Sequence, residues 1–326
     1  MKLLAGDIGG TKTVLALFTT EQGPYQPLAI ATFPSGDYPS LEAIIGQFLQ
    51  EQQAEVSQAV FGVAGPVVSG RARITNLPWI IDQNQLSATF DFQSVSLLND
   101  LEAIAVAIPI LRPADLETIN PGQPETGGAR AVIAAGTGLG EAFLLWNGHQ
   151  YIPYPSEGGH ASFAPTDPTQ LALLDYLWLQ LGHVSFERVC SGRGIPNLYT
   201  FLRDTGRYPE PAWLADQMNQ SDDVTRTIVQ NGLEGQAAIC TATLDLFVRI
   251  LAAEASNLAI KILATGGVYI GGGIPPRLVS QLKSPTFMEA FAHKGRFSSL
   301  LQQMPVHIIL NSQAGLIGAA WDGLNQ

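Results

Sequence analysis

The sequence predicts an α/β protein with a duplicated core, in which two domains face each other across a central cleft. Each half of the chain contains a strand, a turn rich in Gly and Thr, and a second strand, with the turns GDIGGTK at 6–12 and GTGLG at 136–140. Between the halves, residues 113–128 hold three prolines and three glycines, which is typical of a crossover between domains. A chain of 326 residues is also long enough for two domains.

The order of the predicted elements sets the domain boundaries. We expect a small α/β domain over 1–110 plus 301–326, because the small-residue helix 315–321 could pack back on the first domain. The remainder, 111–300, is expected to form a larger α+β domain that is richer in helix. The predicted helices cover 40–54, 101–108, 169–182, 186–190, 195–203, 223–232, 234–263 and 315–321. The predicted strands include 59–63, 95–98, 131–135, 141–146 and 306–310.

Composition limits the class of protein and its partners. With 46% hydrophobic and 14% charged residues, the chain can bury a large core and is not expected to be disordered. Its net charge of −11 repels phosphate backbones, so we expect no nucleic acid partner. An anionic nucleotide would need local backbone amides and a metal ion.

Cysteine content and hydropathy predict the compartment. Cys190 and Cys240 form no CxxC or Cys/His cluster, which fits a reducing cytoplasm and gives no sign of zinc. Asp7 and the glycines after it interrupt the apolar start, so we expect no signal peptide. Lys261 and several glycines break the most apolar stretch, 258–274, and we therefore expect no membrane span.

The first glycine turn indicates a nucleotide and magnesium site. Asp7 is placed where the first strand ends, and Gly9, Gly10 and Thr11 form the turn, whose backbone N–H groups can wrap an anion. A carboxylate beside a phosphate cradle needs a divalent cation or its waters in between, so Asp7 is expected to face Mg²⁺ through water. A P-loop is disfavoured because Thr11 replaces the required Gly and a strand follows. An ordinary Gly-Gly hairpin remains an alternative.

Two further glycine clusters strengthen the nucleotide hypothesis. A nucleoside triphosphate needs two phosphate loops and a flat surface for the adenosine, and the clusters at 6–11, 136–140 and 266–273 meet that need together. The hydroxyl groups of Thr11 and Thr137 add donors for phosphate oxygens. Each cluster taken alone could be no more than a tight turn.

The pair Asn99-Asp100 ends an apolar strand and begins a helix. One interpretation is a helix N-cap, for which Asn and Asp are preferred. The other is a general base, because phosphoryl transfer to an alcohol needs a carboxylate that accepts the hydroxyl proton. The carboxyl end of a strand is where such a group is expected. The residues alone leave both interpretations open.

The segment Glu157-Gly158-Gly159-His160, together with Glu187, suggests a polyhydroxylated sugar. Carboxylates, the Asn99 amide and an imidazole match ring hydroxyls, each of which both donates and accepts a hydrogen bond. Bidentate carboxylates also give discrimination, because a missing hydroxyl leaves a buried charge unpaired. A zinc site is disfavoured, since a single histidine is a poor zinc ligand set. A plain surface turn remains an alternative.

These motifs together carry a family resemblance over nearly the whole chain. The chain resembles the bacterial glucokinases of the non-ROK hexokinase group, in the sugar kinase and actin-like ATPase superfamily. The specific motifs are GDIGGTK (6–12), DYPSLEAI (37–44), AGPV (64–67), LLNDLEAIAVAIP (97–109), GTGLG (136–140), EGGHASFAP (157–165), GHVSFERVCSG (182–192) and GGVYIGGGIPPR (266–277). ROK relatives carry a Cys-rich zinc motif that this chain lacks.

The resemblance implies a duplicated actin-like (ribonuclease H-like) ATPase fold and a homodimer. It also implies ATP-dependent phosphorylation of glucose on its 6-hydroxyl, the first step of glycolysis. Asp100 is then expected to be the catalytic base, and the expected glucose ligands are Asn99, Asp100, Glu157, His160 and Glu187. The expected nucleotide contacts are Gly6, Asp7, Ile8, Gly9, Gly10 and Thr11 in the first phosphate loop, Thr137 and Gly138 in the second, and Gly266, Gly267, Gly271 and Gly272 in the adenosine wall.

Two alternative functions would share parts of this site but would not include phosphorylation of a sugar. A sugar-sensing regulator would need a DNA-binding segment, and we expect none because the first glycine loop already begins at Gly6 and Asp100 is present. An actin-like ATPase that binds no sugar is disfavoured by the Glu157–His160 acceptor set. Glucose-stimulated ADP release would separate all three functions.

Overall fold

A computed structural model of the chain describes residues 2–74 and 77–325. Two compact units account for the packing. Unit 1 comprises Met1–Arg112, Gln150–Pro155 and Asn311–Gln326, and unit 2 comprises Pro113–His149 and Ser156–Leu310. The strands are β1 (Lys2–Ile8), β2 (Lys12–Thr19), β3 (Ala29–Pro34), β4 (Gln58–Val63), β5 (Val67–Val68), β6 (Arg71–Arg73), β7 (Ile80–Asp82), β8 (Ser94–Asn99), β9 (Leu116–Asn120), β10 (Arg130–Ala135), β11 (Leu139–Trp146), β12 (Tyr151–Ser156), β13 (Gly267–Gly271) and β14 (Val306–Ile309). The α-helices are α1 (Leu41–Gln52), α2 (Gln83–Phe90), α3 (Asp100–Ala107), α4 (Pro168–Leu181), α5 (Gly194–Asp204), α6 (Ala212–Asn219), α7 (Val224–Leu233), α8 (Ala238–Ile262), α9 (Val279–Leu282), α10 (Pro285–Ala292), α11 (Ser298–Gln303) and α12 (Ala314–Leu324).

Unit 1 is built on a five-stranded sheet with the order β3-β2-β1-β4-β8. The first glycine turn joins the antiparallel strands β1 and β2, while β1, β4 and β8 run parallel. Leu3, Leu4 and Ala5 are all buried, as expected for a central strand covered on both faces. One face packs on α1, through side chains such as Ile44, and the other packs on α12, through side chains such as Leu316.

Unit 2 repeats the same pairing. The strands β11, β10, β13 and β14 lie side by side in that order, with β10 and β11 antiparallel and β10, β13 and β14 parallel. The second glycine turn again joins the antiparallel pair. The duplication inferred from the two strand–turn–strand segments is therefore confirmed, as is the packing of the C-terminal helix α12 on the first sheet.

The 25-residue helix α8 is the centre of the core of unit 2, and most of its residues are buried. In the described part of the chain, no single helix is long and apolar enough to cross a membrane. The helices α7 and α8 meet the length and composition criteria only as a pair, and they are bent by 98° at the break between them.

Several predicted elements differ from the structure. The crossover over 113–128 contains β9, because its backbone pairs antiparallel with β14. The helix predicted at 186–190 is a single 3-10 turn, Phe186–Arg188. Residues 301–310, predicted within the small domain, belong to unit 2, since β14 adds to the parallel strands there. Residues Gln150–Pro155 group with unit 1 rather than with the predicted 111–300 domain.

Candidate active site

The carboxyl ends of β1, β4 and β8 meet at one edge of the first sheet. The register pairs Ile8 with Val63 and Val63 with Asn99, so Asp7 and Asp100 lie at the ends of strands that are two positions apart. Adjacent strands are about 4.8 Å apart, which separates these backbones by roughly 10 Å. Two carboxylates at one sheet edge can approach a common ligand.

Asp7 is a half-buried carboxyl group at this edge. Burial raises the pKa of Asp7, and the positive charge of Lys12 partly opposes the increase. The first turn of α12 comes close to it, since a Cβ added at Gly315 would lie 3.9 Å from the Asp7 Cγ. The positive end of that helix favours a negative charge there.

Asp100 is the first residue of α3, and its side chain is solvent-accessible. Desolvation by the protein atoms around its carboxyl group and the nearby Asp7 charge raise the pKa of Asp100 to about 6, against the opposing hydrogen bond from the Leu101 N–H. A carboxylate of this pKa is ionised at neutral pH and is a better proton acceptor than an ordinary aspartate.

Asn99 is the N-cap of α3, so the capping interpretation is confirmed for this residue. Its Oδ1 accepts from Leu101 N at 3.0 Å, and its backbone N–H donates to Glu102 Oε2 at 3.3 Å, which completes a capping box. Its Nδ2 donates to Gly65 O at 3.0 Å. These bonds hold Asn99 rigidly beside Asp100.

The first glycine turn is fixed by residues that the sequence analysis missed. Gly9 N donates to Lys12 O at 3.0 Å, and the buried Ser35 donates its hydroxyl to Gly9 O at 2.8 Å. Ser35 also lies 3.0 Å from the buried Thr13 hydroxyl, and its backbone N–H donates to Thr11 O. No local pattern indicates this contact, because Ser35 follows β3, a strand that we did not predict.

Of the residues predicted for the first phosphate loop, some are buried in β1 and others are exposed in the turn. Gly6 is buried within β1, where a Cβ would lie 2.8 Å from side-chain atoms of Leu15 and Phe61, and Ile8 is fully buried. Both residues are packed inside the sheet. The part of this segment that is free to contact a ligand is therefore the backbone that follows Ile8. Within the turn, Gly9 and Gly10 are partly exposed and Thr11 is exposed.

The second glycine turn lies against Glu187. Leu139 N donates to Glu187 Oε2 at 3.0 Å, and a Cβ at Gly138 would lie 2.3 Å from the same oxygen. Gly138 is therefore required for this approach, and the exposed Thr137 lies at the tip of the turn. The structure thus brings the predicted sugar ligand Glu187 next to the predicted second phosphate loop.

The Glu157–His160 segment forms a 3-10 turn whose two polar side chains are 75% and 61% exposed. Glu157 Oε2 and His160 Nε2 are 3.9 Å apart. The two glycines of this turn are held by close packing. A Cβ at Gly159 would lie 2.0 Å from the Leu139 carbonyl oxygen, so the turn is packed directly on β11.

This turn is linked to the segment that carries Glu187. Phe186 N donates to Ala161 O at 3.0 Å, and Phe163 N donates to Val184 O at 2.8 Å. The three predicted sugar ligands of unit 2 therefore lie on two adjacent, hydrogen-bonded segments. Asn99 and Asp100 belong to unit 1.

The four glycines predicted for the adenosine wall separate into two pairs. Gly267 and Gly271 are the first and last residues of β13, and every residue of this strand is buried. The strand rises over four residues between them, which separates the two pairs by roughly 13 Å. Gly272 lies against Ala135, beside the second turn, whereas Gly266 packs on Gly128 at the opposite end of the strand. Gly271 and Gly272 therefore lie at the end of β13 near the second turn, whereas Gly266 packs closely on backbone at the far end and Gly267 there has a positive φ of 117°. The assignment of these glycines to an adenosine wall stays a prediction.

Comparison with known proteins identifies the family. The glucokinase family model matches residues 4–325. The chain belongs to the glucokinase family. It is 41% identical to the glucokinase of Trichormus variabilis over 98% of this chain and 97% of that one, and 38% identical to that of Synechocystis over the same shares.

The solved structures agree with the duplicated fold described above. A glucokinase from an Antarctic psychrotroph has a TM-score of 0.86 at 32% identity and covers 100% of this chain and 99% of its own. A ROK family glucokinase from Streptomyces griseus, solved with glucose and AMPPNP, has a TM-score of 0.67 at 19% identity and covers 100% of both chains. The fold is the actin-like ATPase fold of the sugar kinases.

Proposed function

We propose that this protein transfers the γ-phosphoryl group of ATP to the 6-hydroxyl of glucose and releases glucose 6-phosphate and ADP. The match to the glucokinase family over residues 4–325 carries this proposal. The carboxylates at the sheet edge, the two glycine turns, and the Glu157–His160 turn beside Glu187 support it. Each of these features supplies a group that the reaction needs.

Asp100 is the general base in this proposal. It accepts the proton of the 6-hydroxyl as the oxygen attacks the γ-phosphorus, which leaves Asp100 neutral and gives ADP as the leaving group. Its pKa of about 6 keeps it ionised before attack at neutral pH. The capping bonds of Asn99 hold the start of α3 and thereby fix the direction of the Asp100 carboxylate.

The other hydroxyls of glucose are bound by Asn99, Glu157, His160 and Glu187 in this proposal. Glu157 and His160 are exposed and available for a ligand, while Glu187 has one oxygen engaged by Leu139 N and a second that remains for the sugar. Ionised carboxylates accept two hydrogen bonds each from vicinal hydroxyls.

The nucleotide is held by the backbone of the two glycine turns and by Gly271 and Gly272 in this proposal. Asp7, a carboxylate at the sheet edge whose pKa is raised by burial, suits a hydrated Mg²⁺. When bound, that ion would neutralise charge on the phosphate oxygens. The hydroxyl of Thr11 and the N–H groups of the turns would donate to the same oxygens.

The substitution Asp100→Asn tests whether Asp100 is the general base. It keeps the size of the side chain at the first position of α3 but removes the proton acceptor, so kcat should fall by at least about 100-fold. Glu42→Gln is the matched control, because Glu42 is also a first-turn acid, in α1, and should leave kcat unchanged. ADP release is followed in a coupled assay with glucose, ATP and Mg²⁺. An Asp100→Asn enzyme that keeps a tenth of the wild-type rate would contradict the assignment.

We further propose a cytoplasmic enzyme at the entry to glycolysis that acts as a homodimer. Support for a dimer comes from α4, where Leu171, Trp178 and Leu179 are 62%, 57% and 82% exposed, an apolar surface typical of an interface. Light scattering after gel filtration should give twice the chain mass of 34.8 kDa. Trp178→Glu should give monomers, whereas Trp213→Glu, at another exposed tryptophan, should not.

A further inference from the structure

Two glutamates that the mechanism above does not use are buried together in unit 2. Glu141 in β11 is 2% exposed and Glu254 in α8 is 0% exposed, and their carboxyl groups are hydrogen-bonded to each other. The Oε1 atom of each accepts no hydrogen bond from the described N–H and O–H donors. Two buried carboxylates in contact cannot both be ionised at low cost, so the pair shares one proton.

The surroundings favour the negative charge on Glu254 rather than on Glu141. Asn257 Nδ2 donates to Glu254 Oε2 at 2.8 Å, and Lys294 Nζ donates to Asn257 Oδ1 at 2.6 Å. The charge of Lys261 lowers the pKa of both carboxyl groups. Burial and the Glu254 charge raise the pKa of Glu141 to about 8, so Glu141 carries the proton at neutral pH.

A thiol, that of Cys190, also faces the pair and stays neutral. The thiol of Cys190 is fully buried, and desolvation together with the charges of Glu254 and Glu141 raises its pKa well above the ordinary value. Lys294 is half-buried and its pKa is lowered by desolvation. Glu141 is therefore expected to lose its proton as the pH rises through about 8.

The Glu157–His160 turn rests directly on Glu141. A Cβ added at Gly158 would lie 1.9 Å from Glu141 Oε2, so the Gly158 backbone packs against the carboxyl group. Gly158 N donates to Ser156 Oγ at 3.0 Å, and Gly159 packs on the Leu139 carbonyl. The carboxyl group thus forms part of the floor beneath the turn.

We propose that Glu141 is a positioning residue, which holds the Glu157–His160 turn in place for hexose binding because it shares one proton with Glu254. This inference rests on the proposed function. Loss of the shared proton places two negative charges beneath the turn, next to Glu157, which itself carries a carboxylate. The turn then moves away from the pair, and the hexose is bound more weakly while the proton transfer at Asp100 is unaffected.

The first test is the pH dependence of the glucose KM in the wild type and in Glu141→Gln. The wild-type KM should rise about fivefold or more between pH 7 and pH 9.5. Glu141→Gln keeps the shape and a neutral group that donates to Glu254, so its KM should match the wild type at pH 7 and stay nearly constant to pH 9.5. Loss of charge on Lys294 affects both proteins equally and is thereby controlled.

The partner residue gives a directional test. In Glu254→Gln, ionised Glu141 places only one negative charge beneath the turn, as the wild-type pair does at pH 7, so the rise in KM between pH 7 and pH 9.5 should be largely removed. A rise as large as that of the wild type would contradict the proposal.

Truncation separates positioning from general stability. Glu141→Ala should raise the glucose KM about fivefold at pH 7 with kcat within about twofold, and Glu141→Gln should restore it. Leu144→Ala, in the same buried strand, is the control, and it should lower the melting temperature without changing KM. Equal KM values in Glu141→Ala and the wild type at all pH values would overturn the inference.

Glucose affinity measured by calorimetry without ATP distinguishes the two proposals. A wild-type protein that binds no glucose contradicts the proposed function itself. A protein that binds and phosphorylates glucose, but with a Kd that is flat from pH 7 to pH 9.5, contradicts only the role of Glu141.

Discussion

At the scale of single residues, the ionised carboxylate of Asp100 is the proton acceptor in the proposed reaction, and its ionisation lowers the free energy of unfolding. Its pKa is raised to about 6 from an ordinary value of 3.8. The folded protein therefore binds the proton more tightly than the unfolded chain does, so ionisation of Asp100 weakens the fold as the pH rises from about 4 to about 6. Active sites commonly retain such destabilising groups because function requires them.

The acid limb of the pH–rate profile reports this pKa. We expect kcat/KM for glucose to fall as the pH drops through about 6, because protonated Asp100 cannot accept the hydroxyl proton. The measurement is a steady-state profile from pH 4.5 to pH 7.5. A limb that follows an ordinary aspartate, near pH 4, would contradict the environment described for Asp100.

The stability of the Asp100→Asn variant provides an independent test of the raised pKa of Asp100. It should raise the free energy of unfolding at pH 7, and the increase should be much smaller at pH 4, where the folded-state carboxyl group is protonated and that of the unfolded chain is partly protonated. Urea unfolding at the two pH values measures the difference. A variant that is less stable than the wild type at pH 7 would show that the carboxylate stabilises the fold.

Some of these functional residues can be predicted from the local sequence, and others cannot. Asn99 and Asp100 are recognisable because a strand end, a cap and an acceptor are adjacent in the chain. Ser35 is not, because its contact with Gly9 depends on a strand that brings distant residues together. The Glu141–Glu254 pair is hidden for the same reason, since it joins a strand and a helix more than 100 positions apart.

At the scale of elements, the packing of α12 on α3 depends on glycine. A Cβ at Gly318 would lie 1.8 Å from the Ala103 carbonyl oxygen, which is backbone and cannot rotate away. Gly46 in α1 is the contrasting case, since its nearest atom would be 3.9 Å from the added Cβ. The same substitution should therefore have opposite effects in the two helices.

We expect Gly318→Ala to lower the free energy of unfolding by about 1–3 kcal/mol through overpacking. Gly46→Ala should raise it by up to about 1 kcal/mol, because alanine has the higher helix propensity and the site has room. Chemical denaturation of both variants measures the two changes. A Gly318→Ala protein as stable as the wild type would mean that α12 and α3 are packed less closely than described.

The elements that sequence predicts well are those whose periodicity and turn chemistry agree. Both strand–turn–strand segments and the buried helix α8 belong to this class. The strand β13 does not, because its own Gly267 and Gly271 and the adjoining Gly266 and Gly272 indicate a turn. Pairing with β10 and β14 nevertheless makes the segment a central strand. Tertiary pairing overrides local propensity there.

At the scale of the whole molecule, the two units have separate hydrophobic cores. Among the residues that the structure describes, one buried cluster lies in unit 2, and two others lie in unit 1. The proposed glucose ligands belong to both units. If they bind one sugar, glucose must stabilise both units against unfolding.

Calorimetric unfolding with and without glucose tests this consequence. At a glucose concentration 100 times the Kd, the expected stabilisation is about 2.7 kcal/mol. Fluorescence of Trp79 in unit 1 and Trp178 in unit 2, each kept as the single tryptophan, should show the midpoint rise in both units. A rise confined to one unit would show that glucose is bound by that unit alone.

A crystal structure with glucose bound tests the central assignment most directly. We predict that an Asp100 carboxylate oxygen lies about 2.6–3.2 Å from the glucose 6-oxygen, with Glu157, His160 and Glu187 on the other hydroxyls. A structure in which glucose binds elsewhere, or in which the Asp100 carboxylate is directed away from the 6-oxygen, would contradict the account.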